Sequence, residues 1–114
     1  MRILIVEDNV DIADILRAYP ESVGHTVLMG ECVSAATTML REYTPDCILL
    51  DYNMPHFTPE NFVIAARERN PDVLMILMSG STHVEKLAAK MNIKHFLKKP
   101  FDPEQVMEIL KTVL

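Results

Sequence analysis

The amino-acid sequence predicts a doubly wound α/β sandwich, a five-stranded parallel sheet with helices on both faces. Three observations predict it. Short apolar runs alternate with helical patterns five times along the chain. Those runs are continuous rather than alternating, which implies strands buried on both faces, and right-handed crossovers then place helices on each side. No linker, repeat or low-complexity stretch interrupts the pattern, so residues 1–114 are expected to form one domain.

Taken in order, Arg2 to Val6 is the first strand. Ile12, Ile15, Leu16 and Tyr19 then recur at i, i+3, i+4 and i+7, one face of a helix. Pro20 falls where that helix would continue. An interior proline costs about 3 kcal/mol, so the helix is expected to end or kink near Tyr19. Thr26 to Met29 is the second strand, and Ala36, Met39, Leu40 and Tyr43 mark the second helix. The turn signal Pro45-Asp46 precedes the third strand, Cys47 to Leu50. Thr58-Pro59-Glu60 places an N-cap hydroxyl before a proline at the first helical position, opening a helix that carries Phe62, Ala65 and Ala66. Val73 to Met78 is the fourth strand. Thr82 and Glu85 match a capping box for a helix with Val84, Leu87, Ala88 and Met91 on one face. Asn92 follows as a left-handed C-cap. Phe96-Leu97 is a short fifth strand. Asp102-Pro103-Glu104-Gln105 is a second capping-box sequence, and it opens the last helix, with Val106, Ile109, Leu110, Val113 and Leu114 as its apolar face.

Composition narrows what such a fold does. A hydrophobic fraction of 49% is too high for intrinsic disorder. No apolar run approaches the roughly 20 residues of a membrane helix, and no membrane association is expected. Met1 to Val6 leads at once into Glu7-Asp8, without a signal-peptide cleavage region. Cys32 and Cys47 do not make a disulfide framework and read as buried free thiols of a reducing compartment, which implies a cytoplasmic protein. Acidic residues outnumber basic ones, 16 to 11, and the basic concentration is only Lys94, Lys98 and Lys99. Direct binding of nucleic acid is therefore not expected. Met1 stands immediately before the first strand, as at a natural N-terminus, and an output domain could follow Leu114.

In a parallel α/β sheet, function gathers at the carboxyl ends of the strands. Here those ends carry Glu7-Asp8, Asp51, Ser79-Gly80, and Lys98-Lys99 before Pro100. Taken singly, each acid is most simply a loop or capping residue. As a set on one sheet edge they repel, by about 4 kcal/mol per pair at 4 Å and an effective dielectric of about 20. A lysine offsets part of that, and a hard divalent cation the rest. With only oxygen ligands on offer, Mg²⁺ fits better than Zn²⁺. His25, His56, His83 and His95 show no helical metal spacing and are expected in loops or at the surface. Met75 and Met78 read as core filler, and Lys86 and Lys90 as a solvated helix face.

These motifs resemble the receiver domain of two-component response regulators, the chemotaxis-regulator-like family, over essentially the whole chain. The residues that carry the resemblance are Glu7-Asp8 after Ile3-Leu4-Ile5-Val6, then Pro45 to Asp51 running into Asn53-Met54-Pro55, then Met78-Ser79-Gly80, and Phe96-Leu97-Lys98-Lys99-Pro100-Phe101. The resemblance implies a flavodoxin-like strand order 2-1-3-4-5 and a set of roles. Asp51 would be the phosphoryl acceptor. Asp8 would hold Mg²⁺ directly, Glu7 through water, and Asn53 through its backbone carbonyl. Ser79 would be the switch hydroxyl, Phe96 the aromatic switch position and Lys99 the family lysine, with Lys98 pointing away and a cis bond before Pro100. The implied partners are a sensor histidine kinase or phosphotransfer protein and a downstream protein or output domain. The implied source is bacterial, and the only catalysis is the domain's own phosphorylation and slow autodephosphorylation.

The sequence also departs from the family pattern. Thr58-Pro59, after His56-Phe57, replaces the usual Asp-Gly near the third helix. The stretch from Ser79 to Lys99 is about two residues short, which predicts a short fourth helix or preceding loop. Met91-Asn92-Ile93 replaces the frequent Ala-Gly-Ala, and Phe96 has no hydroxyl. Two other readings use the same residues. An Asp-nucleophile phosphatase of the haloacid-dehalogenase type would want a second acid two residues after Asp51, where Asn53 stands. A phosphorylation-independent interaction module would have no need of the full acid, serine and lysine set. The face formed by the fourth helix, fifth strand and last helix is the expected output surface, with Lys86, Lys90 and Lys94 as its rim and a phosphorylation-dependent homodimer as one outcome.

Overall fold

The computed structural model describes residues 1–114 as five successive βα units. They are β1 (Arg2–Val6), α1 (Val10–Ser22), β2 (Thr26–Gly30), α2 (Val33–Tyr43), β3 (Cys47–Asp51), α3 (Pro59–Arg69), β4 (Leu74–Ser79), α4 (Val84–Lys90), β5 (His95–Lys98) and α5 (Pro103–Val113). All strands pair in parallel in the order β2-β1-β3-β4-β5. This is the flavodoxin-like arrangement, with the order reversing between β1 and β3.

The apolar strands separate two cores. Leu4, Val6, Ile48, Leu50, Met75 and Leu77 face Ala36 and Leu40 of α2, Phe62, Val63 and Ala66 of α3, and Val84 and Ala88 of α4. Ile3, Ile5, Cys47, Leu49, Ile76, Met78 and Leu97 face Ala13 and Leu16 of α1 and Val106 and Leu110 of α5. Every residue of β3 is buried, as its uninterrupted apolar run requires. Each fully buried leucine or isoleucine contributes about 1.5–3 kcal/mol over leaving it exposed, so these layers dominate stability. At Gly30 the close approach of α2 leaves no room for a side chain, since a Cβ there would lie 2.9 Å from both Cα and Cβ of Ala36. Opposite the carboxyl edge, β1 and β3 are clasped by reciprocal bonds: the Arg2 N–H donates to Asp46 Oδ2 and the Asp46 N–H to the Arg2 carbonyl, both at 2.8 Å.

Several local expectations are met. Asp102 and Gln105 form both bonds of a capping box, each 2.9 Å. Asn92 adopts φ 55°, the left-handed conformation after α4. Helix α4 has only seven residues. The Lys99–Pro100 bond is cis. No helix is long and apolar enough to cross a membrane.

Others are corrected. Helix α1 does not stop near Tyr19 but runs to Ser22. Pro20 sits in its last turn with the ring buried. The end is closed by bonds that need no proline N–H: Ser22 Oγ donates to the Tyr19 carbonyl at 2.6 Å and the His25 N–H to the Pro20 carbonyl at 3.0 Å. Thr58 is the N-cap of α3 but its hydroxyl makes no capping bond. The Thr82–Glu85 capping box does not form, because α4 begins one residue later, with His83 as N-cap. Ser81 Oγ takes over and accepts the His83 N–H at 3.0 Å. Cys47 is buried as expected, but Cys32 is exposed, because it is the N-cap of α2 rather than part of a strand. At the far end of α4, the Arg67 guanidinium of α3 donates to the carbonyls of Met91 and Asn92.

Candidate functional site

Strand order and strand ends place the polar set. Chains leaving β1 and β3 diverge at the point where the sheet order reverses, and the crevice there receives Glu7, Asp8 and Asp51. Glu7 and Asp51 are buried, at 1% and 3% exposure, whereas Asp8 is exposed. One carboxylate oxygen of each acid lies within 4.8 Å of the others. Lys99 follows β5, and its N–H donates to the Ser79 carbonyl at 2.8 Å, which directs the side chain across the edge. Its Nζ lies 2.6 Å from Glu7 Oε1 and 3.3 Å from Asp51 Oδ2. The neighbouring Lys98 is exposed and makes no ion pair.

The electrostatics are unbalanced. The single ammonium pairs with two of the three carboxylates, and the surplus negative charge is held in a partly buried site. Burial pushes the Glu7 carboxyl above its ordinary range, and the nearby Asp51 charge adds to this. The hydrogen bonds from Lys99 and from the Asn9 N–H act in the opposite sense. The Asn9 N–H reaches Glu7 Oε2 at 3.2 Å, and the Asn53 N–H reaches Asp51 Oδ1 at 3.1 Å. All donor groups facing the cluster from the acids are hard oxygens, the set that suits a small divalent cation.

Ser79 ends β4 with its side chain fully buried. Its hydroxyl donates to Asn53 Oδ1 at 2.9 Å and accepts the Ser81 N–H at 3.1 Å. Phe96, half-buried, pairs in register with Leu77 and packs against the core on the α2–α4 side of the sheet. The predicted set therefore converges on one edge, except Phe96, which lies further down β5. Two contributions were not anticipated from sequence: the side-chain carbonyl of Asn53 and the Asn9 N–H. Asn9 also caps α1, accepting the Ile12 N–H at 3.1 Å. The signal for that was available, since an asparagine directly precedes the first apolar-periodic stretch.

Comparison with known proteins agrees with this fold. The family model described as the response regulator receiver domain matches residues 3–111. The chain is 32% identical over 116 residues to the uncharacterized transcriptional regulatory protein YvcP of Bacillus subtilis, covering 99% of this chain and 48% of that protein. It is 30% identical over 112 residues to the hydrogenase transcriptional regulatory protein HoxA of Bradyrhizobium diazoefficiens, covering 96% and 23% respectively. It thus spans half or less of these curated relatives. Among solved structures, the chemotaxis response regulator CheY4 of Vibrio cholerae superposes with a TM-score of 0.85 at 26% identity, covering 99% of this chain and 98% of that one. The receiver domain of NtrX from Brucella abortus shares the fold, with a TM-score of 0.83 at 21% identity over 98% and 97% of the two chains. A match that runs from β1 into the last turns of α5, on a sheet of this order, shows that the chain belongs to the response regulator receiver domains of two-component signalling.

Proposed function

We propose that Asp51 accepts a phosphoryl group from the phosphohistidine of a sensor kinase or phosphotransfer protein, and that residues 1–114 act as one cytoplasmic receiver domain. The observation that carries this reading is the position of Lys99 Nζ, 2.6 Å from Glu7 and 3.3 Å from Asp51 at the same strand edge. An aspartate oxygen and a phosphoryl group are both anionic, so attack needs cations placed beforehand. In the transfer, an Asp51 carboxylate oxygen forms the new O–P bond as the P–N bond to the imidazole breaks. The released imidazole takes up a proton. Lys99 draws negative charge off the transferring oxygens, and Asp51 is held by the Asn53 N–H.

The acidic cluster fits Mg²⁺: Asp8, Asp51 and the Asn53 backbone carbonyl would hold it directly, and Glu7 would hold it through water. Glu7 is the natural outer ligand, because both of its oxygens already accept bonds from Lys99 and Asn9. When bound, Mg²⁺ neutralises the equatorial phosphoryl oxygens. Asn53 stands where a haloacid-dehalogenase phosphatase would need its acid, so turnover of external phosphate esters is not expected. Once Asp51 is phosphorylated, Ser79 and Phe96 relay the change to the α4–β5–α5 face. That face engages a downstream protein, an output domain or a second copy of the chain.

Incubation with acetyl phosphate and Mg²⁺ should add one phosphoryl group by intact mass, and Asp51→Asn should abolish it. Equal labelling of the Asp51→Asn variant would overturn the assignment.

A further inference from the structure

The Asn53 side chain has no part in the chemistry assigned above, yet it makes a specific contact. Ser79 Oγ donates its proton to Asn53 Oδ1 at 2.9 Å. A serine hydroxyl has one proton to donate. While Asn53 holds it, Ser79 cannot donate to a phosphoryl oxygen on Asp51. The two acceptors compete for one donor in a fully buried position, where an unmet donor is costly.

The bond is also one link of a chain. The Asn53 N–H donates to Asp51 Oδ1, and Ser79 Oγ accepts the Ser81 N–H at 3.1 Å. Ser81 Oγ in turn accepts the His83 N–H at 3.0 Å, at the start of α4. The β3–α3 and β4–α4 loops are thus joined by side chains from the acceptor aspartate to a helix that has no side-chain cap of its own. A hydroxyl that turns from Asn53 toward Asp51 also changes what it offers to the Ser81 N–H.

We propose that Asn53 is a positioning residue that latches the unphosphorylated state, its side-chain carbonyl holding the Ser79 hydroxyl and, through Ser81, the first turn of α4. The proposal rests on the reading of Asp51 as phosphoryl acceptor and names the group from which the phosphoryl must win Ser79. Breaking the latch without phosphorylation releases the same elements.

The test is amide hydrogen exchange at Ser81 and His83 in full-length protein without a phosphoryl donor. Asn53→Ala should speed exchange there roughly three- to tenfold, the equilibrium factor of one neutral hydrogen bond. Asn53→Gln keeps a neutral amide carbonyl without adding to the acidic cluster, and should restore part of the protection lost in Asn53→Ala, which a merely structural loss at this site would not allow. Ser79→Ala should speed exchange by itself, and adding Asn53→Ala to it should change nothing more. Unchanged exchange in Asn53→Ala overturns the latch, as does acceleration by Asn53→Gln equal to that by Asn53→Ala, or full additivity in the double variant. The readout needs no phosphoryl transfer, so a protein that fails to label with acetyl phosphate still reports on the latch. If Asp51 labels but exchange at Ser81 stays constant on phosphorylation, the competition fails and the acceptor role stands.

Discussion

Replacing Lys99 with methionine removes a charge while keeping much of the stem, and the distances allow its effect to be sized. At an effective dielectric of about 20, the ammonium attracts Glu7 at 2.6 Å by about 6 kcal/mol and Asp51 at 3.3 Å by about 5 kcal/mol. Desolvation of the three ions offsets most of this, by several kcal/mol per ion. What remains after the substitution is a pair of buried carboxylates with oxygens within 4.8 Å, repelling by at least about 3 kcal/mol. Breaking a buried pair typically costs 3–5 kcal/mol. With the lysine 22% exposed, we expect about 3 kcal/mol of lost stability at pH 7.5 without divalent cations. The loss should depend on pH in a defined sense. The Glu7 carboxyl is raised in the fold, so the folded protein holds a proton that the unfolded chain releases. Its contribution to stability is fullest below the ordinary value of 4.5 and is lost as pH rises through the raised folded value. Lys99 lowers that value by hydrogen bond and by charge, so Lys99→Met moves it further up. The deficit relative to parent should therefore shrink on going from pH 7.5 to pH 5. Urea midpoints at both pH values measure this, with Lys98→Met, an exposed control, staying within about 0.5 kcal/mol of parent. Equal losses for Lys98→Met and Lys99→Met, or a deficit larger at pH 5, would refute the reasoning.

Mg²⁺ should raise the melting temperature, by the equivalent of about 2.7 kcal/mol at a hundredfold excess over Kd, and Asp8→Asn should remove most of that rise. A melting temperature indifferent to tens of millimolar Mg²⁺ (on the order of saturating for a weak, exposed carboxylate site) would exclude a metal site at Asp8 and Asp51. A thiol reagent should modify Cys32 in the native protein and Cys47 only after unfolding. The hydrogen bond from the Ser34 hydroxyl and the N–H groups of α2 holds the Cys32 thiol below its ordinary value, whereas burial pushes Cys47 up to about 12. Gly30→Ala should cost about 1–3 kcal/mol by urea denaturation, because its methyl meets Ala36 backbone that cannot swing aside.

The fold was legible because its signals are periodic and physical. Continuous apolar strands such as Cys47 to Leu50 require burial on both faces, which a parallel sheet covered by helices on each side provides. The convergence of Glu7, Asp8, Asp51, Ser79 and Lys99 was legible because sheet topology alone brings carboxyl ends together. Hydrogen-bond partners were less so. Thr82 and Glu85 have capping-box spacing, but Ser79 and Ser81 bind the loop backbone and delay the helix by one residue, which spacing does not reveal. Pro20 misled because a proline removes only the one bond to the carbonyl four residues back, and the residues after it still complete the turn and satisfy the Tyr19 and Pro20 carbonyls. Cys32 was expected to be buried and is not, because hydrophobicity says nothing about whether a small apolar residue packs in the core or caps a helix at the surface.

Strands that are apolar on both faces have an unadvertised weakness. In a one-sided sheet, a slip of one residue turns greasy side chains to water and corrects itself. Here a slip would merely exchange the contents of two dry compartments, Ile3 and Ile5 for Leu4 and Val6, or Cys47 and Leu49 for Ile48 and Leu50. Oiliness cannot keep the count. The polar ends can. Shifted by one place, Asp51 would be dragged between the layers or Glu7 parted from the ammonium it meets at 2.6 Å, while at the opposite rim the paired hydrogen bonds between Arg2 and Asp46 would be lost. The polar residues gathered at the two rims of the sheet thus also serve as the ruler against which it is aligned, and neutralising several of them together should loosen strand register before it empties either core.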